Sequence, residues 1–175
     1  MAGSLEFIKS STGSDVASVS VTDCFSDKYD VYKIIINKWK YVGTSNAGGM
    51  RFIDSGGSVI SDSEYYHADL QMRNYAGYQD LKEASGGTSI LCGMDTSNQN
   101  GASLSTGFVS YVYNPADSSS FTFVNFQDVS MYDTNAILAY KGIGLHKVAE
   151  QLTGINFINR GTGNISATIK VFGVK

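Results

Sequence analysis

The chain has little charge and no long apolar run, which excludes two classes of partner. Charged residues make up 17% of its 175 residues, against about 25% in an average soluble domain. The 13 lysines and arginines are spread along the chain and form no basic cluster, so the sequence predicts no nucleic-acid binding. The longest apolar stretch is a few residues, such as 34–36, which is too short to cross a membrane.

Cysteine is scarce as well, with Cys24 and Cys92 as the two occurrences. There is no CxxC motif and no Cys/His cluster, so the sequence predicts neither a zinc site nor any other cofactor. We interpret both cysteines as reduced, largely buried small side chains. A disulfide between them is the alternative.

The first residues, Met1 to Phe7, lack the basic start and apolar stretch of a signal peptide. This predicts that the protein does not reach its final location by Sec-type export.

Residues suited to catalysis are few. The chain has no GxSxG motif, and its two histidines, His67 and His146, are the only candidate bases. We interpret both as surface or hydrogen-bonded histidines.

Asp62 and Glu64 are a candidate pair of glycosidase carboxylates, because they lie two positions apart and would share one face of a strand. Solvated turn carboxylates are the favoured interpretation. The sequence therefore predicts that the protein is not an enzyme.

The segment Asp95–Gly101 superficially resembles a calcium loop. It lacks the glycine at the sixth position and the glutamate at the twelfth that an EF-hand requires. We therefore interpret it as a surface loop that holds no metal.

Glycine and aromatic residues are abundant instead, with 19 Gly, 11 Tyr and 9 Phe. Short β-branched and aromatic runs recur between polar turns, which indicates an all-β antiparallel sandwich or barrel forming one domain over residues 1–175. The segment 64–73 can be a strand or a single helical turn. The predicted strands are Leu5–Ile8, Val16–Val21, Tyr29–Tyr41, Met50–Ile53, Thr88–Cys92, Gly107–Tyr113, Ser120–Phe126, Ala136–Lys141, Gly154–Ile158 and Ala167–Val174.

The last strand carries the clearest alternation. Ala167, Ile169 and Val171 fall on one face of this strand, while the residues between them fall on the other. We therefore expect the hairpin formed by residues 154–175 to be a fixed part of the sheet.

Aromatic side chains near loops and strand ends are the candidate binding residues. Tyr and Trp offer rigid contact area with a polar tip, which suits sugars and protein partners. Placement in the core or half-buried on strands is the alternative, and it is favoured for most of them. The candidates are Trp39, Tyr41, Tyr65, Tyr66, Tyr75 and Tyr78.

Three segments together resemble small structural proteins from the particles of tailed bacteriophages, notably marine ones. These segments are Val19–Ile36, Tyr113–Phe123 and the closing Ile165–Lys175. The resemblance spans most of the chain, and the closing strand is its most specific part.

The resemblance implies a jelly-roll-like sandwich of about 8–10 strands, counted from the runs above. It further implies a non-enzymatic virion protein, assembled in the host cytoplasm, that docks on capsid or tail proteins. We expect a homo-oligomer, with a trimer suggested by the symmetry of phage appendages. Capsid decoration and tail appendage both stay open. The alternative function is a module that binds a host surface glycan at a tail-fibre tip.

Overall fold

All regular structure in the described part of the chain is β-structure. The computed structural model describes residues 4–43, 47–94, 106–133 and 136–175. Within these ranges no helix has the length and apolar character needed to cross a membrane. The strands are β1 (Leu5–Val16), β2 (Ser18–Val21), β3 (Val31–Val42), β4 (Gly48–Asp54), β5 (Tyr65–Arg73), β6 (Gln79–Gly87), β7 (Ile90–Leu91), β8 (Thr106–Tyr113), β9 (Thr122–Asp133), β10 (Ala136–His146), β11 (Leu152–Asn159) and β12 (Asn164–Val174).

The strands form two antiparallel sheets of unequal width. The wide sheet has eight strands in the order β1-β12-β3-β8-β9-β10-β5-β6, and the narrow sheet has four in the order β2-β11-β4-β7. Alternating side chains of the two sheets meet in a shared apolar core. The predicted all-β antiparallel sandwich is confirmed.

Eight of the strands pair as a long hairpin rolled onto itself. β1 pairs with β12, β2 with β11, β3 with β8, and β4 with β7, so the pairs are nested one inside the next. Two further contacts, β12 with β3 and β11 with β4, join these pairs into sheets. This nesting is the jelly-roll arrangement of two four-stranded sheets. The fold therefore agrees with the jelly-roll-like architecture that the resemblance implied.

The other four strands are two hairpins inserted into the jelly roll. The β5–β6 hairpin lies between β4 and β7 in the chain, and the β9–β10 hairpin lies between β8 and β11. Both add to the same edge of one sheet, beyond β8, which widens that sheet from four strands to eight. We call β9, β10, β5 and β6 the extension.

The insertions explain why the described residues contain twelve strands rather than about eight to ten. The ambiguous segment 64–73 is strand β5. Strand β6 was not predicted, because its sequence QDLKEASGG is polar and mostly exposed. The predicted run 16–21 is divided at Ala17, two residues after Asp15, which has a φ of 55°.

The core beneath the jelly roll is strongly aromatic. Trp39 is fully buried, and its ring lies 5.6 Å from that of Tyr41 and 6.4 Å from that of Phe157. Tyr32, Ile34 and the neighbouring apolar residues of β3 fill the same layer from the wide sheet. Edge-to-face aromatic packing of this kind contributes beyond the area it buries.

The closing strand β12 lies in the wide sheet between β1 and β3, as an interior strand. Its side chains alternate as predicted, because Ala167, Ile169 and Val171 are buried. The expectation that the closing strand is a fixed part of the fold is therefore confirmed. The expected hairpin over residues 154–175 is wrong, because β11 pairs with β2 and β4 in the narrow sheet while β12 pairs in the wide sheet. The glycine-rich segment between them connects the two sheets.

Both cysteines are free and buried, which confirms the interpretation as reduced core residues. Burial raises the pKa of the Cys24 thiol to about 12, so this thiol is not a nucleophile near neutral pH. The segment Asp95–Gly101, interpreted as a surface loop, lies outside the described residues.

The inner face of the extension carries buried polar side chains beside apolar ones such as Phe126 and Leu138. His67, Asp69 and Gln71 alternate along β5 and are all buried, and Asp128 is buried on β9. The two oxygens of Asp128 accept hydrogen bonds from the backbone N–H groups of Met94 (2.7 Å) and residue 140 (2.8 Å). The carboxylate oxygens of Asp69 have no hydrogen-bond partner among the described residues.

Burial keeps Asp69 and His67 neutral over the same pH range. It raises the pKa of Asp69 to about 7, against an opposing effect of the Arg160 guanidinium. It lowers the pKa of His67 to about 4, with Arg160 adding to this effect and Glu83 opposing it. The two side chains are 3.9 Å apart, and neither carries a charge between these values.

We predict that Ile169→Ala lowers the free energy of unfolding by about 2–5 kcal/mol, because it opens a cavity in the core. Urea unfolding measures this change. The control is Lys170→Ala on the opposite face of β12, which should alter stability by less than about 0.5 kcal/mol. Equal effects of the two substitutions would contradict the placement of β12.

A second prediction concerns pH. The folded pKa of Asp69 lies above its unfolded value, so the stability it contributes at low pH is lost as the pH rises through about 7. Asp69→Asn removes this loss. The pKa of Asp69 is raised from 3.8 to about 7, and each pKa unit corresponds to about 1.4 kcal/mol. Relative to the wild type, the variant should therefore gain about 2–4 kcal/mol of unfolding free energy between about pH 4 and about pH 8. Urea unfolding at each pH measures this gain. The control is Asp62→Asn at an exposed position. A difference between Asp69→Asn and the wild type that stays constant with pH would contradict the prediction.

Candidate interaction surface

The outer face of the wide sheet is the most distinctive surface of the molecule. Strand register places two complete rows of outward side chains across all eight strands. One row runs Phe7, Phe172, Lys33, Tyr111, Asn125, Ile143, Ala68 and Lys82. The other runs Ser10, Lys170, Ile35, Val109, Gln127, Lys141, Leu70 and Asp80. We call these rows and their outward neighbours the outer face.

Large apolar side chains are concentrated on the outer face. Eleven such side chains are exposed among the described residues, and seven of them lie on this face. Ile143 is 62% exposed and Val129 is 54% exposed. Exposed apolar surface gathered on one face of a domain indicates a place where another molecule binds. The seven are Leu5, Phe7, Leu70, Phe123, Val129, Ile137 and Ile143.

The charge of the outer face is opposite in sign to that of the chain. The two rows carry four lysines and one aspartate, whereas the chain has a net charge of −3. The lysines occur on β3, β12, β10 and β6, so positive charge crosses the whole width of the sheet. A surface of this kind favours an acidic partner and disfavours a basic one.

A groove of about 1020 Å³ runs along the outer face over the extension. Tyr111 and Tyr113 lie on one side of it, with Lys33 Nζ at 5.7 Å from the Tyr111 ring centre. Asn125 Nδ2 donates a hydrogen bond to Tyr113 Oη at 2.8 Å, which fixes both side chains. The groove thus combines aromatic rings with amide and ammonium groups. Residues of β3, β8, β9, β10, β5 and β6 line it.

Of the predicted binding aromatics, three are core residues. Trp39, Tyr41 and Tyr65 are almost completely buried and face the core. Tyr65 Oη accepts the backbone N–H of Phe52 at 2.9 Å and donates to the carbonyl of Ile60 at 3.1 Å. These three therefore follow the alternative interpretation, core placement, because their strands turn those positions inward.

The other three predicted aromatics are at least partly accessible. Tyr66 is half-buried on β5, with Lys147 Nζ at 5.0 Å from its ring centre. Tyr75 and Tyr78 belong to the β5–β6 turn, where Tyr78 is 79% exposed. The structure therefore does not bring the six candidates together into one site.

The sequence analysis missed Tyr111 and Tyr113 as surface aromatics. Their alternation with Phe108 and Val112 is visible in the sequence, but either set can be the inner one. The pairing of β8 between β3 and β9 decides it, because it fixes Val112 in the core.

The two histidines are buried on the inward side of the wide sheet. His67 is buried beside Asp69, and His146 is fully buried with its Nε2 3.1 Å from Glu64 Oε2. Asp62 is exposed next to the start of β5. Among the described residues, neither histidine is hydrogen-bonded to a serine or a cysteine. The histidines therefore form no nucleophile–base pair there.

No protein-family model matches the chain, and no curated protein matches it.

Proposed function

We propose that this chain is a non-enzymatic structural protein of a bacteriophage particle, which docks on another particle protein through the outer face. The observation that carries the proposal is the exposed apolar and lysine-bearing surface that crosses the wide sheet. The resemblance of the three segments to small phage virion proteins supports it. Jelly rolls are also frequent in viral capsids, although the fold alone does not decide function.

The partner that fits the outer face is a flat protein surface with acidic and apolar groups. Seven exposed apolar side chains supply the contact area that excludes water, and the lysines supply orientation. The surface is broad and continuous over eight strands, which suits a cement or appendage protein more than a binder of a short peptide.

We also propose that the chain self-associates, through a different contact. A two-fold contact between outer faces would bring the lysines of one copy against those of the other, and like charges disfavour it. Copies of the chain therefore meet through a surface other than two outer faces. This leaves the outer face free for the capsid or tail protein.

A host surface glycan is the second candidate ligand, at the tip of a tail fibre. The observation that favours it is the groove with Tyr111, Tyr113 and Asn125, since stacking rings beside amides suit a sugar. Of the six aromatics first considered for this role, Trp39, Tyr41 and Tyr65 do not support it, because they are buried.

The first test is the presence of the chain in purified particles of the phage that encodes it. Quantitative mass spectrometry should find it at a fixed copy number per particle after washing in high salt. A number in the hundreds would assign it to the capsid, and a handful would assign it to the tail. Its absence from washed particles would overturn the proposal.

The second test is binding of the purified chain to particles assembled without it. Ile143→Asp and Lys141→Glu should each weaken this binding by about tenfold or more, because they place negative charge in the centre of the outer face. The matched control is Val59→Asp, an exposed apolar residue outside the wide sheet, which should bind like the wild type. Unchanged binding by both outer-face variants would overturn the docking surface. Competition by host polysaccharide would favour the glycan instead.

A further inference from the structure

Three side chains that are distant in sequence converge at one end of the sandwich. Glu64 directly precedes β5, His146 is the last residue of β10, and Glu150 lies in the connection to β11. Strand pairing places Tyr65 opposite His146, and the backbone N–H of Lys147 donates to the carbonyl of Glu64 at 2.9 Å. These contacts fix the two chain segments side by side.

One nitrogen atom is the common neighbour of both carboxylates. His146 Nε2 lies 3.1 Å from Glu64 Oε2 and 3.6 Å from Glu150 Oε1, and the three ligand atoms all lie within 4.8 Å of one another. A ring nitrogen that carries a proton can donate it to one of these oxygens at full strength, not to both. The second carboxylate then has no equivalent partner in this cluster.

The imidazole ring is held rigidly, while the carboxylates reach water. His146 is fully buried, with the ring of Tyr65 at 5.1 Å and that of Phe52 at 5.9 Å. The side chains of Glu64 and Glu150 are each one-third exposed. The cluster therefore has a fixed nitrogen at its base and an open side through which an ion can enter.

Negative charge is in excess around the cluster. The two ionised glutamates carry two negative charges in a partly buried place, and the single imidazole between them can balance at most one. A divalent cation would neutralise both glutamates at once.

The distances suit a small transition-metal ion. Bonds of about 2.0–2.2 Å to nitrogen and oxygen place neighbouring ligand atoms about 3.3 Å apart around a tetrahedral zinc ion. The separations of 3.1 and 3.6 Å from His146 Nε2 lie on either side of that value. An imidazole ligand favours such ions over Ca²⁺ and Mg²⁺, which prefer oxygen alone.

We propose that Glu64, His146 and Glu150 bind a divalent transition-metal ion of the Zn²⁺ class, with water in the remaining position. The ion would join β5, β10 and the connection to β11 at the rim where the two sheets meet, since Phe52 of the narrow sheet packs on the same histidine. This proposal is independent of the docking surface and of the phage assignment.

The test is calorimetric titration of the EDTA-treated chain with ZnCl₂ at about pH 7.5, since metal affinity depends on pH. We expect one saturable site per chain, together with a rise in the midpoint of thermal unfolding. Glu64→Gln and Glu150→Gln should each weaken binding by about tenfold or more and remove that thermal shift. Both positions are partly exposed, so the variants should fold, and near-ultraviolet circular dichroism checks this.

The matched control is Glu83→Gln, because Glu83 is a carboxylate paired across strands with His67, the other histidine. This variant should bind Zn²⁺ like the wild type. Three results would each overturn the proposal: no saturable binding by the wild type, unchanged binding in either glutamine variant at the cluster, or an equal loss in the control.

Discussion

The unequal width of the two sheets is the constraint on which the rest of the structure depends. A narrow sheet of four strands can bury only part of a sheet of eight. Beneath the jelly-roll half, aromatic and aliphatic side chains such as Trp39 and Phe157 close the core. Beneath the extension, the inner face adds buried polar groups to apolar ones such as Phe126 and Leu138, and Asp128 holds the backbone of Met94 by a hydrogen bond. The extension therefore combines apolar packing with buried polar contacts.

The same imbalance explains where the candidate surfaces lie. Widening the sheet adds more outward-facing surface than core. This outward-facing surface carries exposed residues such as Leu70, Val129 and Ile143. The groove also lies over the inserted hairpins rather than over the original eight strands alone. The jelly roll acts as the scaffold, while the two insertions provide most of the surface that distinguishes this protein from a minimal sandwich.

Periodicity was enough to predict the fold class and most strands, because burial imposes a strict alternation. Ile34 and the residues of β12 show this clearly, since their inward positions are apolar and their outward positions are mixed. Strand β6 escaped prediction because an exposed edge strand needs no apolar face.

The exposure of the candidate aromatics was harder to predict than the strands. Trp39 and Tyr65 differ from Tyr111 only in which face their strand turns inward. That choice depends on partner strands that local sequence does not specify. The Glu64–His146 cluster was equally inaccessible, since 82 positions separate its members.

The nested pairing of the jelly roll also has a kinetic consequence. Contact between Thr12 and Thr168 joins residues 156 positions apart, and β12 must enter between β1 and β3 rather than add to an edge. Such non-local pairing slows folding, because the entropy of closing a long loop is lost before the contacts compensate for it. Until β12 has inserted into the sheet, the facing edges of β1 and β3 lack a partner strand and the core beneath Tyr32 is uncovered. A nascent chain in this state is prone to aggregate with its own copies, so its yield in a host should depend strongly on temperature and on chaperones.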